Sequence, residues 1–162
     1  MDEPANVTPC DDPSALPVLA LDLATHCGFA LRTSRTITSG TVDFTERRNE
    51  TRGGRLWRFQ QWLADFHAAT PLVLVAYERV NGHMRGPAQA CYAQFEGVLL
   101  CWCAKRQIPV RAVPVSTLKR AIAGTGKADK SQMIAAVAAR GFTPNDDNEA
   151  DALAVLLYAT RV

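Results

Sequence analysis

The sequence predicts an α/β domain on a mixed five-stranded sheet, three antiparallel strands followed by two parallel ones, with helices on both faces. Two observations lead to this prediction. Three short apolar runs follow one another closely before residue 45, as in an antiparallel meander. After residue 50, segments with helical periodicity alternate with short apolar runs. A chain of 162 residues suits one such domain.

The elements follow from apolar spacing and from turn residues. Strands are expected at 17–23, 29–32 and 36–44, with turns at Gly28 and at Ser34-Arg35, and later at 72–78 and 108–113. Five helices are expected, at 51–67, 87–105, 116–123, 130–140 and 147–159.

Residues 1–15 contain several prolines and acids with little to bury, so a flexible acidic tail is expected before a single domain at 16–162. The acidic N-terminus is unlike a signal peptide, and no apolar run approaches the roughly 20 residues of a membrane span. The five cysteines include no C-x-x-C pair, which argues against a zinc site. We therefore expect a cytoplasmic protein without a membrane partner.

Two acids end strands that are otherwise almost wholly apolar. Asp22 follows the run 17–21, and Glu78 follows the run 72–77. A buried carboxylate without a partner is costly, so something must compensate it. Pairing with an arginine such as Arg79 or Arg32 would be a purely structural solution, as would hydrogen bonds from backbone N–H groups.

A third acidic element starts the last helix. Asp147 and Asp151 share a helix face, and so do Asn148 and Asp151. If this face packs beside the strand ends, Asp22 and Glu78 join Asp151. Like charges about 4 Å apart repel by roughly 4 kcal/mol at a dielectric near 20, so this cluster would need cations. Oxygen ligands favour Mg²⁺ or Mn²⁺, and two such ions would support phosphodiester hydrolysis.

The same residues have a structural interpretation. Asp147 would serve as a helix N-cap, and Glu149 would be a solvated acid in the first turn, where both favour helix formation. For Asp147 both interpretations are kept. For Glu149 only the structural interpretation is kept.

Four ordered motifs resemble those of RuvC-type Holliday junction resolvases, nucleases of the RNase H-like fold that also occur in phages. They are Leu21-Asp22 with the following Gly28, Tyr77-Glu78-Arg79-Val80, the basic segment 118–133, and 148–154. The resemblance runs from about residue 16 to the end of the chain. It implies a structure-selective endonuclease that cuts four-way DNA junctions with symmetric nicks, through metal-dependent phosphodiester hydrolysis.

The resemblance assigns Asp22, Glu78 and Asp151 as catalytic acids that bind Mg²⁺, with Mn²⁺ as the alternative and two ions per site. Many members of the family place an acid or a histidine three residues before the last acid, where this chain has Asn148. The fourth ligand is therefore Asp147, Asn148 or water. We favour Asp147, as a further catalytic acid.

The resemblance also implies DNA contacts. Lys119 and Lys130 would contact phosphates or stabilise the transition state, and Gly124 to Gly126 would let the backbone approach a phosphate. The loop 81–86 carries no aromatic residue for base stacking, although His83 and Arg85 are suited to DNA contacts. The expected DNA-binding residues are Arg79, His83, Arg85, Lys119, Arg120, Lys127 and Lys130. Arg47, Arg48 and Arg52 are equally consistent with a solvated surface.

Branched DNA is the expected partner. A junction has two symmetric strands to cut, so a two-fold homodimer is expected, which the resemblance also implies. The helix around Phe95, Val98 and Trp102 is the candidate dimer surface, with core packing as the alternative. Whether a helicase partner takes part is left open, and the expected setting is a bacterial cell or a phage-infected host.

Three other functions compete. The acid cluster would equally serve a nuclease acting on RNA/DNA hybrids or flaps, because a fold does not fix its substrate. A catalytically inactive junction-binding module is possible because Asn148 replaces an acid. An actin-like kinase or ATPase is disfavoured, because the chain is too short for two such domains and has no second glycine-rich phosphate loop.

Overall fold

The fold is organised around one mixed sheet of six strands, seen in a computed structural model that describes residues 6–9, 17–80 and 86–160. The strand order is β1-β4-β3-β2-β5-β6. The strands are β1 (Asn6–Pro9), β2 (Val18–Asp22), β3 (His26–Arg32), β4 (Thr36–Asp43), β5 (Leu74–Arg79) and β6 (Val110–Pro114). The five predicted strands are all present.

The pairing brings the two strand-end acids to one edge of the sheet. β2 is antiparallel to β3 and parallel to β5, and β5 is parallel to β6. Leu21 pairs with Tyr77, so Asp22 and Glu78 each follow a paired residue. Gly28 was expected in a turn, but it lies within β3 opposite Asp22, because the β2–β3 connection is shorter than predicted.

Part of the predicted tail is structured. Residues 6–9 form β1, which pairs antiparallel with β4 from Asn6–Ser39 to Pro9–Thr36. Without β1, the outer side of β4 would present unpaired N–H and C=O groups. The expectation of a flexible tail is therefore wrong for these four residues, and the rest of that segment lies outside the described residues.

Helices cover both faces of the sheet, as predicted. α1 (Gly54–Ala69) and α2 (Pro87–Arg106) pack on the face that carries Leu19 and Leu21. α3 (Val115–Ala123), α4 (Lys130–Ala138) and α5 (Asp147–Thr160) pack on the face that carries Val18 and Ala20. This two-sided burial explains the continuous apolar sequence of β2. Among the helices in the described ranges, none is long and apolar enough to span a membrane.

The aromatic residues of α2 belong to the core. Phe95 is fully buried, and its ring lies 5.0 Å from that of Phe59 and 5.8 Å from that of Phe44. Trp102 is also buried, and Val98 is partly buried against the same cluster. The prediction that Phe95 and Trp102 form a dimer surface is therefore wrong, because α1 and the sheet already cover them.

The last helix packs unusually close to the sheet at one point. A Cβ atom added to Gly28 would lie 1.9 Å from the carbonyl oxygen of Asn148. Only a residue without a side chain lets the start of α5 rest directly on β3. Further along α5, residues 152–157 are all buried in the core.

Replacement of Gly28 by Ala is expected to destabilise the fold by about 2 kcal/mol or more, since the helix backbone must move away. Urea unfolding measures this change. Gly97→Ala is the matched control, because nothing lies within 4 Å of a Cβ there. That exposed position in α2 should gain about 1 kcal/mol from the better helix propensity of alanine. Equal stability of Gly28→Ala and the wild type would contradict the close approach.

Candidate active site

Three carboxylates from three elements face one another at the carboxyl edge of the sheet. Burial raises the pKa of Asp22 to about 8, and the charges of Glu78, Asp151 and Asp147 add to the shift. Burial and the charge of Asp151 raise the pKa of Glu78 to about 7. The same causes, with Asp147 as the neighbouring charge, raise the pKa of Asp151 to about 6. The predicted convergence of β2, β5 and α5 is therefore present.

These three carboxylates lack protein partners. Within the described residues, no hydrogen bond or salt bridge reaches the carboxylates of Asp22, Glu78 or Asp151. The structural alternative, in which Arg79 or Arg32 pairs with Asp22 or Glu78, is not realised. Arg79 is instead exposed at the end of β5.

The start of α5 is held against β4 by two polar contacts. Asp146 Oδ1 accepts hydrogen bonds from Thr41 Oγ1 and from the Glu149 amide, both at 2.8 Å. Glu149 accepts hydrogen bonds from Ser39 Oγ at 2.7 Å and from the Asn145 amide at 2.8 Å. These bonds fix the helix end that carries the third acid.

Two interpretations of this helix end need correction. Glu149, expected as a solvated acid, is only 1% exposed. The residue that caps the helix is Asp146 and not Asp147, since α5 begins at Asp147. Ser39 and Thr41 alternate on one face of β4, and these two hydroxyls indicated that polar partners pack there. The sequence could not identify those partners, because they lie more than 100 positions away.

Asp147 stands at the rim of the acid cluster. Its carboxylate accepts a hydrogen bond from the Lys130 ammonium, which lowers the pKa of Asp147 and raises that of Lys130. Its negative charge raises the pKa of both Asp22 and Asp151, so it lies close to both. The Asn148 side of the helix lines a cavity shared with Asp22.

Among the predicted DNA-binding residues, Lys119 and Lys130 carry charges that act on the acids. Lys119 Nζ donates a hydrogen bond to the Ala128 carbonyl at 2.7 Å, and its charge opposes the upward pKa shifts of Glu78 and Asp151. Arg120 and Lys127 are exposed, and no contact joins them to the acids. His83 and Arg85 lie outside the described residues.

The cavity beside Asp22 has a volume of about 350 Å³. The β2–β3 turn, the end of β5 and the first turns of α2 line it, and Asn148 closes it from α5. The exposed His26 belongs to its wall and lies 3.6 Å from Asp43 across the β3–β4 pair. A space of this size lies at the lower end of the range of small-molecule binding pockets.

Tyr92 and Glu96 support the strand that carries Glu78, and sequence reasoning missed both. The Tyr92 hydroxyl lies 3.3 Å from the Glu78 carbonyl oxygen and 3.0 Å from Glu96 Oε1. It also accepts a hydrogen bond from the Val80 amide at 3.4 Å. Tyr77 donates to Glu96 Oε1 at 2.8 Å. Helix α2 thus holds the backbone that follows Glu78 and the side chain of Tyr77 that precedes it.

The donor set fits a hard divalent cation. In the part of the chain that the structure describes, no group of three His, Cys, Asp or Glu side chains is placed so that it could hold a metal ion by itself. The carboxylates are nevertheless unpaired, mutually repulsive and accompanied by an amide at Asn148. All of these are oxygen donors, which suit Mg²⁺ or Mn²⁺ rather than zinc.

Comparison with known proteins identifies the family. A sequence profile described as "Crossover junction endodeoxyribonuclease RuvC" matches residues 23–158. The chain belongs to this family. The RuvC of Halorhodospira halophila is 33% identical over 129 residues, which cover 78% of this chain and 75% of that protein. The RuvC of Rhodococcus opacus is 31% identical over 144 residues, which cover 82% and 74%.

Solved structures show the same fold. Thermus thermophilus RuvC in complex with Holliday junction substrate superposes with a TM-score of 0.74 at 21% identity, covering 91% of this chain and 96% of that chain. The yeast mitochondrial Holliday junction resolvase Ydc2 gives a TM-score of 0.59 at 14% identity, covering 88% and 78%. The predicted RNase H-like fold class is confirmed.

The raised pKa of Asp22 predicts a pH-dependent stability. The unfolded chain ionises Asp22 near 3.8, whereas the folded protein does so near pH 8. Between these values the folded state binds more protons, so its stability falls as pH rises. Asp22→Asn should therefore raise the unfolding free energy by about 1 to 3 kcal/mol near pH 8 and by much less near pH 4.

Urea unfolding of metal-free protein at the two pH values tests this. Asp65→Asn is the control, because Asp65 is exposed on α1, away from the acids. If Asp22→Asn were no more stable than the wild type near pH 8, the electrostatic description of the site would be wrong.

Proposed function

We propose that this RuvC family member is a structure-selective endonuclease that cuts four-way DNA junctions by metal-dependent phosphodiester hydrolysis, leaving symmetric nicks. The observation that carries the proposal is the convergence of the unpaired carboxylates of Asp22, Glu78 and Asp151. Family membership supports the same substrate class. With such a substrate, we expect the protein in the cytoplasm of a bacterial cell or of a phage-infected host.

Asp22, Glu78 and Asp151 would hold the cations, with Asp147 as the fourth acid. The preferred ion is Mg²⁺, with Mn²⁺ as the alternative, and two ions per site suit four carboxylates. Asp147 is favoured as the fourth ligand because its charge acts on both Asp22 and Asp151. Asn148 and water are the alternatives. When bound, such ions supply an activated water and stabilise the leaving oxygen.

The chain's own residues prepare this chemistry. Burial and mutual repulsion raise the pKa of all three acids, and Asp22 in particular keeps its proton near neutral pH, so a divalent cation would displace that proton when it binds. Tyr92 and Glu96 keep the Glu78 backbone in place. The Lys119 ammonium, fixed by the Ala128 carbonyl, presents a positive charge beside Glu78 and Asp151. That charge would attract a DNA phosphate to the acids.

The DNA contacts would come from basic residues around the site. The charges of Lys119 and Lys130 act on the acids, and Lys130 would exchange its bond with Asp147 for a phosphate. Arg79, Arg120 and Lys127 are exposed and free to meet the backbone, while His83 and Arg85 would extend the contact from the loop after β5. Such contacts add affinity without reading sequence, as a structure-selective enzyme requires.

A homodimer would provide the two active sites that paired nicks require. We expect a molar mass twice the 17.6 kDa of the chain by light scattering at micromolar concentration. The exposed face of α2, and not its buried aromatic residues, is then available for the contact. A monomeric mass in the presence and absence of DNA would contradict a dimeric enzyme.

Cleavage assays test the function directly. A synthetic four-way junction should receive paired symmetric nicks with Mg²⁺, whereas linear duplex, flap and RNA/DNA hybrid should not be cut efficiently. Asp151→Asn should reduce the cleavage rate by about 100-fold or more, since it removes a charge that no neighbour replaces. The same loss should follow chelation of the metal, and added Mg²⁺ or Mn²⁺ should reverse that loss.

Asp65→Asn serves again as the control and should cut at the wild-type rate. Cutting of only hybrid or flap would keep the metal-dependent nuclease and reject the junction substrate. Tight junction binding without any cutting would instead show an inactive binding module.

A further inference from the structure

A basic segment lies beside the site and is not used by the acid chemistry. Residues 44–58 connect β4 to the first turns of α1, at the same edge of the sheet as Asp22. The Phe44 amide donates a hydrogen bond to the Thr25 carbonyl at 2.8 Å. Thr25 and Asp22 both line the cavity beside the acids. The segment therefore starts next to the cavity wall.

The acids of this segment are neutralised within it. Arg58 Nε lies 2.7 Å from Glu50 Oε1, with both side chains largely buried, and Arg55 Nε lies 3.7 Å from Glu46 Oε1. The hydrogen bonds from Arg58 lower the pKa of Glu50 to about 2, so Glu50 is ionised and its charge is balanced by Arg58. Five arginines against two glutamates in residues 46–58 thus leave three positive charges.

These three charges are exposed. Arg47, Arg48 and Arg52 lie on the surface, and within the described residues no hydrogen bond or salt bridge engages their guanidinium groups. Trp57, in the first turn of α1 that follows, is 63% exposed. The segment therefore carries an exposed indole, which offers an apolar contact surface, as well as exposed groups that bind phosphates. We call Arg47, Arg48, Arg52 and Trp57 the arginine patch.

The loop under the patch is held in one conformation. Arg58 Nη2 donates to the Thr45 carbonyl at 2.8 Å and to Glu50 Oε2 at 3.1 Å. Glu50 Oε2 also accepts a hydrogen bond from the Arg47 amide at 3.1 Å. A loop that is already ordered loses little entropy when it binds a partner. The patch is therefore a preorganised surface and not an unstructured run of charge.

We propose that the arginine patch binds the phosphate backbone of a duplex arm of the DNA junction, beyond the crossover at the active site. The inference rests on the proposed function, because it takes the junction as the substrate. Charge complementarity and the position of the loop at the cavity wall select DNA as the occupant. Each arginine that neutralises a phosphate adds salt-dependent affinity without sequence preference.

The test compares a junction with long arms and one whose arms are shortened to the base pairs needed to hold the crossover together. For Arg47→Ala/Arg48→Ala/Arg52→Ala, affinity for the long-armed junction should fall more than about tenfold. The slope of log affinity against log salt should shrink by roughly three, about one per lost phosphate contact. Affinity for the short-armed junction, and the single-turnover cleavage rate at saturating enzyme, should not change.

Two further variants sharpen the test. Arg35→Ala removes an exposed arginine from the β3–β4 turn at the opposite edge of the sheet, and it should bind both junctions normally. Trp57→Ala should weaken long-arm binding and leave the salt slope unchanged, because the indole carries no charge. Thermal melting checks that every variant is folded.

The outcomes separate this inference from the proposed function. If wild-type protein neither binds nor cuts junctions, the proposed function fails and the patch inference fails with it. If the wild type cuts junctions and the triple variant binds the long-armed one equally well, only the patch inference is overturned. Equal loss on both junctions would place the contact at the crossover and overturn the arm assignment. Dissociation of a dimer in the triple variant would make the patch an interface between copies.

Discussion

The close contact between the backbone at residue 148 and the strand at Gly28 is the constraint on which the candidate site depends. Gly28 pairs with Asp22, so the helix touches the sheet one strand away from the first acid. Ser39 and Thr41 hold the same helix end from the next strand, through Glu149 and Asp146. Asp151, one turn further along α5, is thereby brought to Asp22 and Glu78. The three acids come from distant segments of the chain, and they meet because Gly28 has no side chain to keep the helix away from the sheet.

In this arrangement the packing of α5 against the sheet acts against the repulsion between the carboxylates. The apolar length of α5 is buried against the sheet, and that burial keeps carboxylates together that would otherwise separate. No hydrogen bond or salt bridge from the described part of the chain reaches these carboxylates, so the folded state resists their ionisation. Asp146, Glu149 and Tyr92 hold backbone groups of this region in place. The backbone around the site is thus held by hydrogen bonds, whereas the carboxylates at its centre lack such bonds from the described residues. This is the arrangement expected of a site that binds cations.

Much of this could be predicted from sequence, because apolar periodicity fixes the elements and the ends of parallel strands share an edge. Asp22, Glu78 and Asp151 were found in that way. The buried state of Glu149, the capping role of Asp146 and the support from Tyr92 could not be, since each depends on a tertiary partner. Phe95 and Trp102 show the same limit: spacing reveals an apolar face of a helix but not what covers it. β1 was missed because it forms by pairing with the open edge of β4. The proline-rich composition of the segment itself does not indicate a strand.

The pairing of β1 gives the N-terminal segment a share in the architecture of the site. Asn6 stands opposite Ser39, the residue whose hydroxyl holds Glu149 and with it the start of α5. Residues 6–9, whose composition does not suggest a structural role, therefore pair with the strand that holds the start of α5. Removal of residues 6–9 would disturb a support that lies three strands from Asp22.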